Sequence, residues 1–140
     1  MTIIVGYTES AASKAALDFG LDLAAKLSMN LVAVNAGPGS EHRAESELTR
    51  AETEQLEQYL ANFQVQTELR QYARGRSTAD EFKDIVAELN PYLVVIGGAK
   101  RSGFAKFMMG SVADELLREL QAPVLSVKVS EPSVASNTRE

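Results

Sequence analysis

The chain has 140 residues, 45% of them hydrophobic, which is enough for one buried core and too few for two ordinary domains. Its net charge of −5 argues against a broad nucleic-acid or anionic-membrane surface, and the absence of cysteine excludes disulfide scaffolds, thiolate metal sites and cysteine nucleophiles. The N-terminus lacks a signal-peptide pattern, and no apolar run reaches the roughly 18 to 20 residues of a membrane helix, so a soluble, cytoplasmic protein is expected.

Thr2 to Gly6 (TIIVG) reads as a buried first strand rich in β-branched residues. Ala16, Gly20, Leu23 and Leu27 then recur at spacings of three and four, with Lys14, Asp18, Asp22 and Lys26 opposite, which predicts an amphipathic helix of about five turns. Leu31 to Asn35 is a second strand. Gly37, Pro38, Gly39 and Ser40 mark a loop, and the acidic segment from Glu41 to Phe63 predicts a second helix buried along Leu48, Leu56, Tyr59, Leu60 and Phe63. Val65 to Ala73 predicts a third strand, which Gly75 ends. Arg74 and Arg76, flanking that glycine at a strand end, could join an anion site but read first as surface charge. Ser77 and Asp80 have the spacing of a capping box, opening a third helix whose inward residues are Ala79, Phe82, Ile85, Val86 and Leu89 and which Asn90 and Pro91 terminate.

Leu93 to Ile96 is an unbroken apolar run, as for a parallel strand covered on both faces. Gly97 and Gly98 predict a tight turn after it. A long loop follows, with Lys100, Arg101 and Lys106 and no acid between Glu88 and Asp114. Gly110 and Ser111 open a fourth helix with inward Val112, Ala113, Leu116, Leu117 and Leu120, and Pro123 to Val129 is the last strand. Ser111 with Asp114 also has capping-box spacing. Met108 and Met109 read as core or interface fillers, and His42 as a surface residue. These elements predict a single α/β domain over residues 1–130: an open, five-stranded, mainly parallel sheet with right-handed crossovers and helices on both faces. Residues 131–140 are too polar to pack and are expected to form a disordered tail.

A locally positive loop that ends at a helix N-terminus suits a compact anion. In open α/β sheets ligands gather at the carboxyl ends of the strands where strand order reverses, here the loops after the first and fourth strands. Gly98 and Gly103 have the spacing of a phosphate-binding P-loop, but Phe104 and Ala105 stand where its Lys and Ser or Thr belong. The first strand is followed by GYTES, not by a dinucleotide-binding glycine fingerprint.

The frame from Gly97 to Ser111, together with LVVIG, MMGSVADELL, APVLSVKV and GRSTAD, resembles the universal stress protein family, whose ATP-binding members carry G-x2-G-x9-G-[ST] after the fourth strand. The similarity spans nearly the whole chain in the same order of elements. It implies an adenine nucleotide alpha hydrolase-like, Rossmann-like fold and a regulatory function exercised by binding an adenine nucleotide, ATP first and AMP or cyclic AMP behind it, with Mg2+ accompanying the nucleotide. The site residues it implies are Thr8, Gly97, Gly98, Lys100, Arg101, Gly103, Gly110, Ser111 and Val112. Two positions depart from the pattern. Lys100 replaces the second glycine, and Thr8 stands where nucleotide-binding members usually place an aspartate. Lys100 either crowds a backbone that needs glycine or adds a charge-assisted contact to a phosphate. No general base or activated nucleophile is evident, so at most weak hydrolysis is expected. The resemblance also implies a homodimer built on the last strand, and the alternative function is a nucleotide-free protein acting through protein contacts.

Overall fold

The computed structural model describes residues 1–37, 47–100, 107–108 and 111–130, with side chains described at all of these except 99, 100, 107, 108, 111 and 130. The elements are β1 (Thr2–Gly6), α1 (Ala11–Leu27), β2 (Asn30–Gly37), α2 (Arg50–Leu60), β3 (Thr67–Ala73), α3 (Thr78–Leu89), β4 (Leu93–Lys100), β5 (Phe107–Met108), α4 (Ser111–Glu119) and β6 (Val124–Ser130). The parallel strands run in the order β3-β2-β1-β4-β6, and β5 adds a short antiparallel pairing to β4. This is the expected open α/β sheet.

Alternation along the central strands sends successive side chains to opposite faces. Ile3, Val5 and Tyr7 pack with Leu17, Leu21 and Leu56 of α1 and α2, while Ile4, Val32 and Val34 pack with Phe82, Ile85 and Leu116 of α3 and α4. Both faces are covered, which is why these strands carry unbroken apolar runs. Order reverses at β1, whose pairing with β4 extends only over Ile3–Val5 against Leu93–Val95. Beyond it the two strands diverge.

Helix starts follow local chemistry. Ser10 caps α1 by accepting from the Ser13 amide at 3.2 Å, and Thr49 caps α2 in a reciprocal capping box with Glu52. That box corrects the expected start of α2 at Glu41: the described helix begins at Arg50 because Thr49 satisfies its first donors. Residues 38–46, with His42, lie outside the described residues. Phe63 falls after the end of α2 and is 37% exposed, so it is not part of the buried stripe. Ser77 caps α3 by accepting from the Asp80 amide at 3.1 Å, but no return bond from Asp80 forms among the described residues. An aspartate is one methylene shorter than the glutamate that usually closes the box. Leu117, expected inward, is 36% exposed on the outer side of α4.

The least expected core feature is Glu81, whose side chain is fully buried. Arg74 meets it with a two-pronged contact, Nε to Oε2 at 3.1 Å and Nη2 to Oε1 at 2.5 Å, and Arg76 approaches Oε1 at 3.5 Å. Arg76 also donates to Asp84 and holds that carboxyl below the usual carboxylate range. Arg74 lies over the Tyr72 ring, 4.7 Å from its centroid. Gly75, at φ +75°, supplies the left-handed turn that brings both arginines round to one carboxylate. Arg74 and Arg76 are therefore neutralising partners of a buried acid, not free surface charge. A buried ion pair is lost asymmetrically, because removing one side strands the other. Replacing both arginines by methionine should lower the urea midpoint of unfolding, and adding Glu81→Met to that variant should restore most of it.

Candidate functional site

Where β1 and β4 diverge, a cavity of about 230 Å3 opens at the carboxyl ends of the strands. Val34, Ala36 and Ile96 face it from β2 and β4, Phe82 and Leu116 from α3 and α4, and Thr8, Ser13 and Val112 at its edges. Most of the lining is apolar, with a few polar groups, the usual composition of a small-molecule pocket. Thr78 Oγ1 donates to the Ala36 carbonyl at 3.0 Å and ties the first turn of α3 to the end of β2.

The polar edge is a set of hydroxyls. The Thr8 amide donates to Ser13 Oγ at 3.0 Å, and Thr8 Oγ1 lies 3.1 Å from Ser13 Oγ and 3.3 Å from Ser10 Oγ. No acid occupies the first turn of α1, so the partial positive charge of its N-terminus is uncompensated by the helix's own side chains. The position where a carboxylate is usual in the resembled family is thus a neutral donor and acceptor.

Gly97 and Gly98 are not in a turn. β4 continues through them to Lys100 because β6 pairs with it in register from Val94↔Val124 to Lys100↔Ser130. Gly97 has a packing reason: a Cβ there would lie 2.2 Å from the Ala12 carbonyl oxygen, so only glycine lets α1 approach β4 this closely. Lys100 pairs on both sides, with Ser130 of β6 and Phe107 of β5. An extended, doubly paired residue needs none of glycine's conformational freedom. Of the remaining expected site residues, Ser111 is the first residue of α4, and Val112 is 42% exposed at the cavity edge. Asp114, expected to close a capping box with Ser111, accepts from Arg118 Nε at 3.2 Å. Arg101, Gly103 and Gly110, with Lys106 and Met109, lie outside the described residues, as does the expected tail.

The structure brings Thr8, Gly97 and Val112 to one cavity and adds Ser13, Thr78, Phe82 and Ile96, which sequence reasoning did not place there. Ser13 had a signal: it is a polar residue on the buried stripe of α1, 8% exposed. Phe82, Leu116 and Ile96 read as core, and they are core residues whose ends also wall the cavity.

The sequence profile of the Universal stress protein family matches residues 1–128. A universal stress protein of Mycolicibacterium smegmatis is 31% identical over 126 residues, covering 90% of this chain and 96% of that protein. Among solved structures, a universal stress protein from Archaeoglobus fulgidus superposes with a TM-score of 0.72 at 22% identity, covering 91% of this chain and 93% of that one. The universal stress protein from the same organism in complex with dAMP superposes at 0.68 and 21% identity, over 91% and 98% of the two chains. A universal stress protein in complex with cAMP does so at 0.65 and 20%, over 91% and 96%. At these identities the structural matches establish the fold. Gly97→Ala should destabilise the protein by about 1–3 kcal/mol in denaturant unfolding, the usual cost of overpacking, because a backbone oxygen must move to admit the methyl group.

Proposed function

The chain belongs to the universal stress protein family, and from that premise we propose that it is a cytoplasmic regulatory protein that binds an adenine nucleotide, ATP first, at the carboxyl ends of β1 and β4. The observation that carries this reading is the apolar cavity with a hydroxyl edge at the strand-order reversal, in a fold whose relatives are seen in complex with dAMP and cAMP. The walls formed by Ile96, Phe82 and Leu116 suit a purine. Thr8 and Ser13 suit ribose hydroxyls, and the segment from Lys100 to Ser111 suits phosphate, through its basic residues and the N-terminus of α4. Among the described residues no three metal-ligating side chains converge, so Mg2+ would arrive on the phosphates. Binding rather than turnover is the activity proposed: the polar groups facing the cavity are hydroxyls without an adjacent base among the described residues.

Isothermal titration with ATP, AMP and cyclic AMP tests the reading. Saturable binding is expected, lost in Val112→Asp, where an exposed position at the cavity edge would carry a charge opposed to the phosphates. Thr8→Asp should tighten binding about five- to tenfold, since a charged acceptor strengthens a hydrogen bond by about 1 kcal/mol over a neutral one. The absence of binding at millimolar nucleotide would reject the proposal.

The closed hydroxyl set at Thr8 favours one second reading, a nucleotide-free protein acting through protein contacts as a homodimer. Its surface would be β6, an edge strand on which Leu125 is 36% exposed. Sedimentation analysis should then give a dimer, and Leu125→Lys a monomer.

A further inference from the structure

On the opposite face of the sheet, between α1 and α2, lies a second cavity of about 440 Å3. It shares Tyr7 with the first. Tyr7 is only 6% exposed, packed in the cluster of Val5, Leu17 and Leu56. Its amide donates to Val34 and its carbonyl accepts from Asn35, but among the described residues nothing hydrogen-bonds its hydroxyl. The residue is buried, but its hydroxyl is not: it opens onto the cavity that Tyr7 lines and is available to a ligand there. Burial raises the Tyr7 pKa, and the charges of Glu9, Asp18 and Glu52 raise it further, so the phenol is protonated at neutral pH in a negative potential.

Among the charged side chains of the lining the balance has the same sign, although Ser10 and Ala11 bring the positive N-terminus of α1 to it as well. Glu9 and Glu52 face one ammonium, that of Lys14. Glu52 spends Oε1 on the Thr49 amide at 2.9 Å and keeps its other oxygen. Asp18 stands behind the wall, accepting from the Tyr59 hydroxyl at 2.5 Å and pushing that phenol up to about 12. Lys14 forms no ion pair among the described residues; its ammonium rests 4.3 Å from the centroid of the Tyr59 ring. An exposed lysine on an aromatic face marks where a cation is stable, and its long stem lets it leave.

We propose that this cavity is a second ligand site, taking a small organic cation whose amine or guanidinium replaces the Lys14 ammonium over Tyr59 and donates to the Tyr7 hydroxyl and the Glu52 carboxylate. Each contact is of a kind strengthened by a full charge. The site is independent of the nucleotide pocket except through Tyr7.

Calorimetric titration with agmatine, and with glutarate as an anion of similar reach, tests it on the folded full chain. Agmatine should bind saturably and glutarate should not. Tyr7→Phe, which keeps the ring, and Glu52→Gln, which keeps the capping acceptor, should each weaken agmatine about five- to tenfold. Lys14→Met, which keeps the stem, should tighten it several-fold. Circular dichroism verifies that each variant is folded. No saturation at tens of millimolar agmatine would overturn the proposal, as would affinity unchanged in both Tyr7→Phe and Glu52→Gln. Glutarate binding that Lys14→Met abolishes would overturn it too, by making the cavity an anion site. Glu52 does not line the nucleotide pocket, so ATP titrated against Glu52→Gln keeps failure of this site distinct from failure of the other.

Discussion

The contact on which the site depends is the approach of the first turn of α1 to the end of β4, where the Ala12 carbonyl occupies the space a side chain at 97 would need. It places the N-terminus of one helix against the strand on the far side of the order reversal. Once α1 is held there, β1 must turn away from β4 beyond Val5, and the crevice between them follows. The cavity is a consequence of that packing and of right-handed crossovers that send α1 and α2 to one face and α3 and α4 to the other.

Two polar arrangements frame the crevice and solve different problems. The Ser13 and Ser10 hydroxyls accept from the Thr8 and Ser13 amides, and the Thr8 hydroxyl lies within hydrogen-bond distance of both; all three remain neutral, so the helix end retains its partial positive charge. On the side of β3 and α3, a full charge is buried: Glu81 is enclosed with Arg74 and Arg76 reaching it from the Gly75 turn. The first keeps the rim adaptable to a ligand. The second ties the Gly75 turn to the first turn of α3, next to Phe82 in the cavity wall.

Tyr7 joins the two faces of the sheet. Its backbone sits at the edge of one cavity, bonded to Val34 and Asn35, while its ring passes to the α1 and α2 side with the odd-numbered residues of β1. A ligand on either side therefore meets the same residue, which gives the fold a short physical link between its faces.

Much of the architecture was legible in the sequence because it is periodic. Alternating apolar runs and 3.6-residue stripes placed five strands and four helices in order, and the spacing from Gly97 to Ser111 marked the family. Elements set by partners were not legible. β4 runs past Gly97 and Gly98 because β6 pairs with it there, and β5 exists only because β4 offers it a free edge at Ala99 and Lys100. The burial of Glu81 depends on Arg74 and Arg76 reaching it from the Gly75 turn; the start of α2, by contrast, rests on a capping box of Thr49 and Glu52 written locally in the sequence. Sequence by itself determined the class of fold, the strand ends where the cavity opens and the neutral residue at Thr8. Tertiary structure decided why Gly97 must be glycine, that Lys100 needs no such freedom, and which core side chains double as cavity walls. The physical reason is that hydrophobic pattern and capping are local along the chain, whereas close approach and strand pairing depend on residues far apart in sequence.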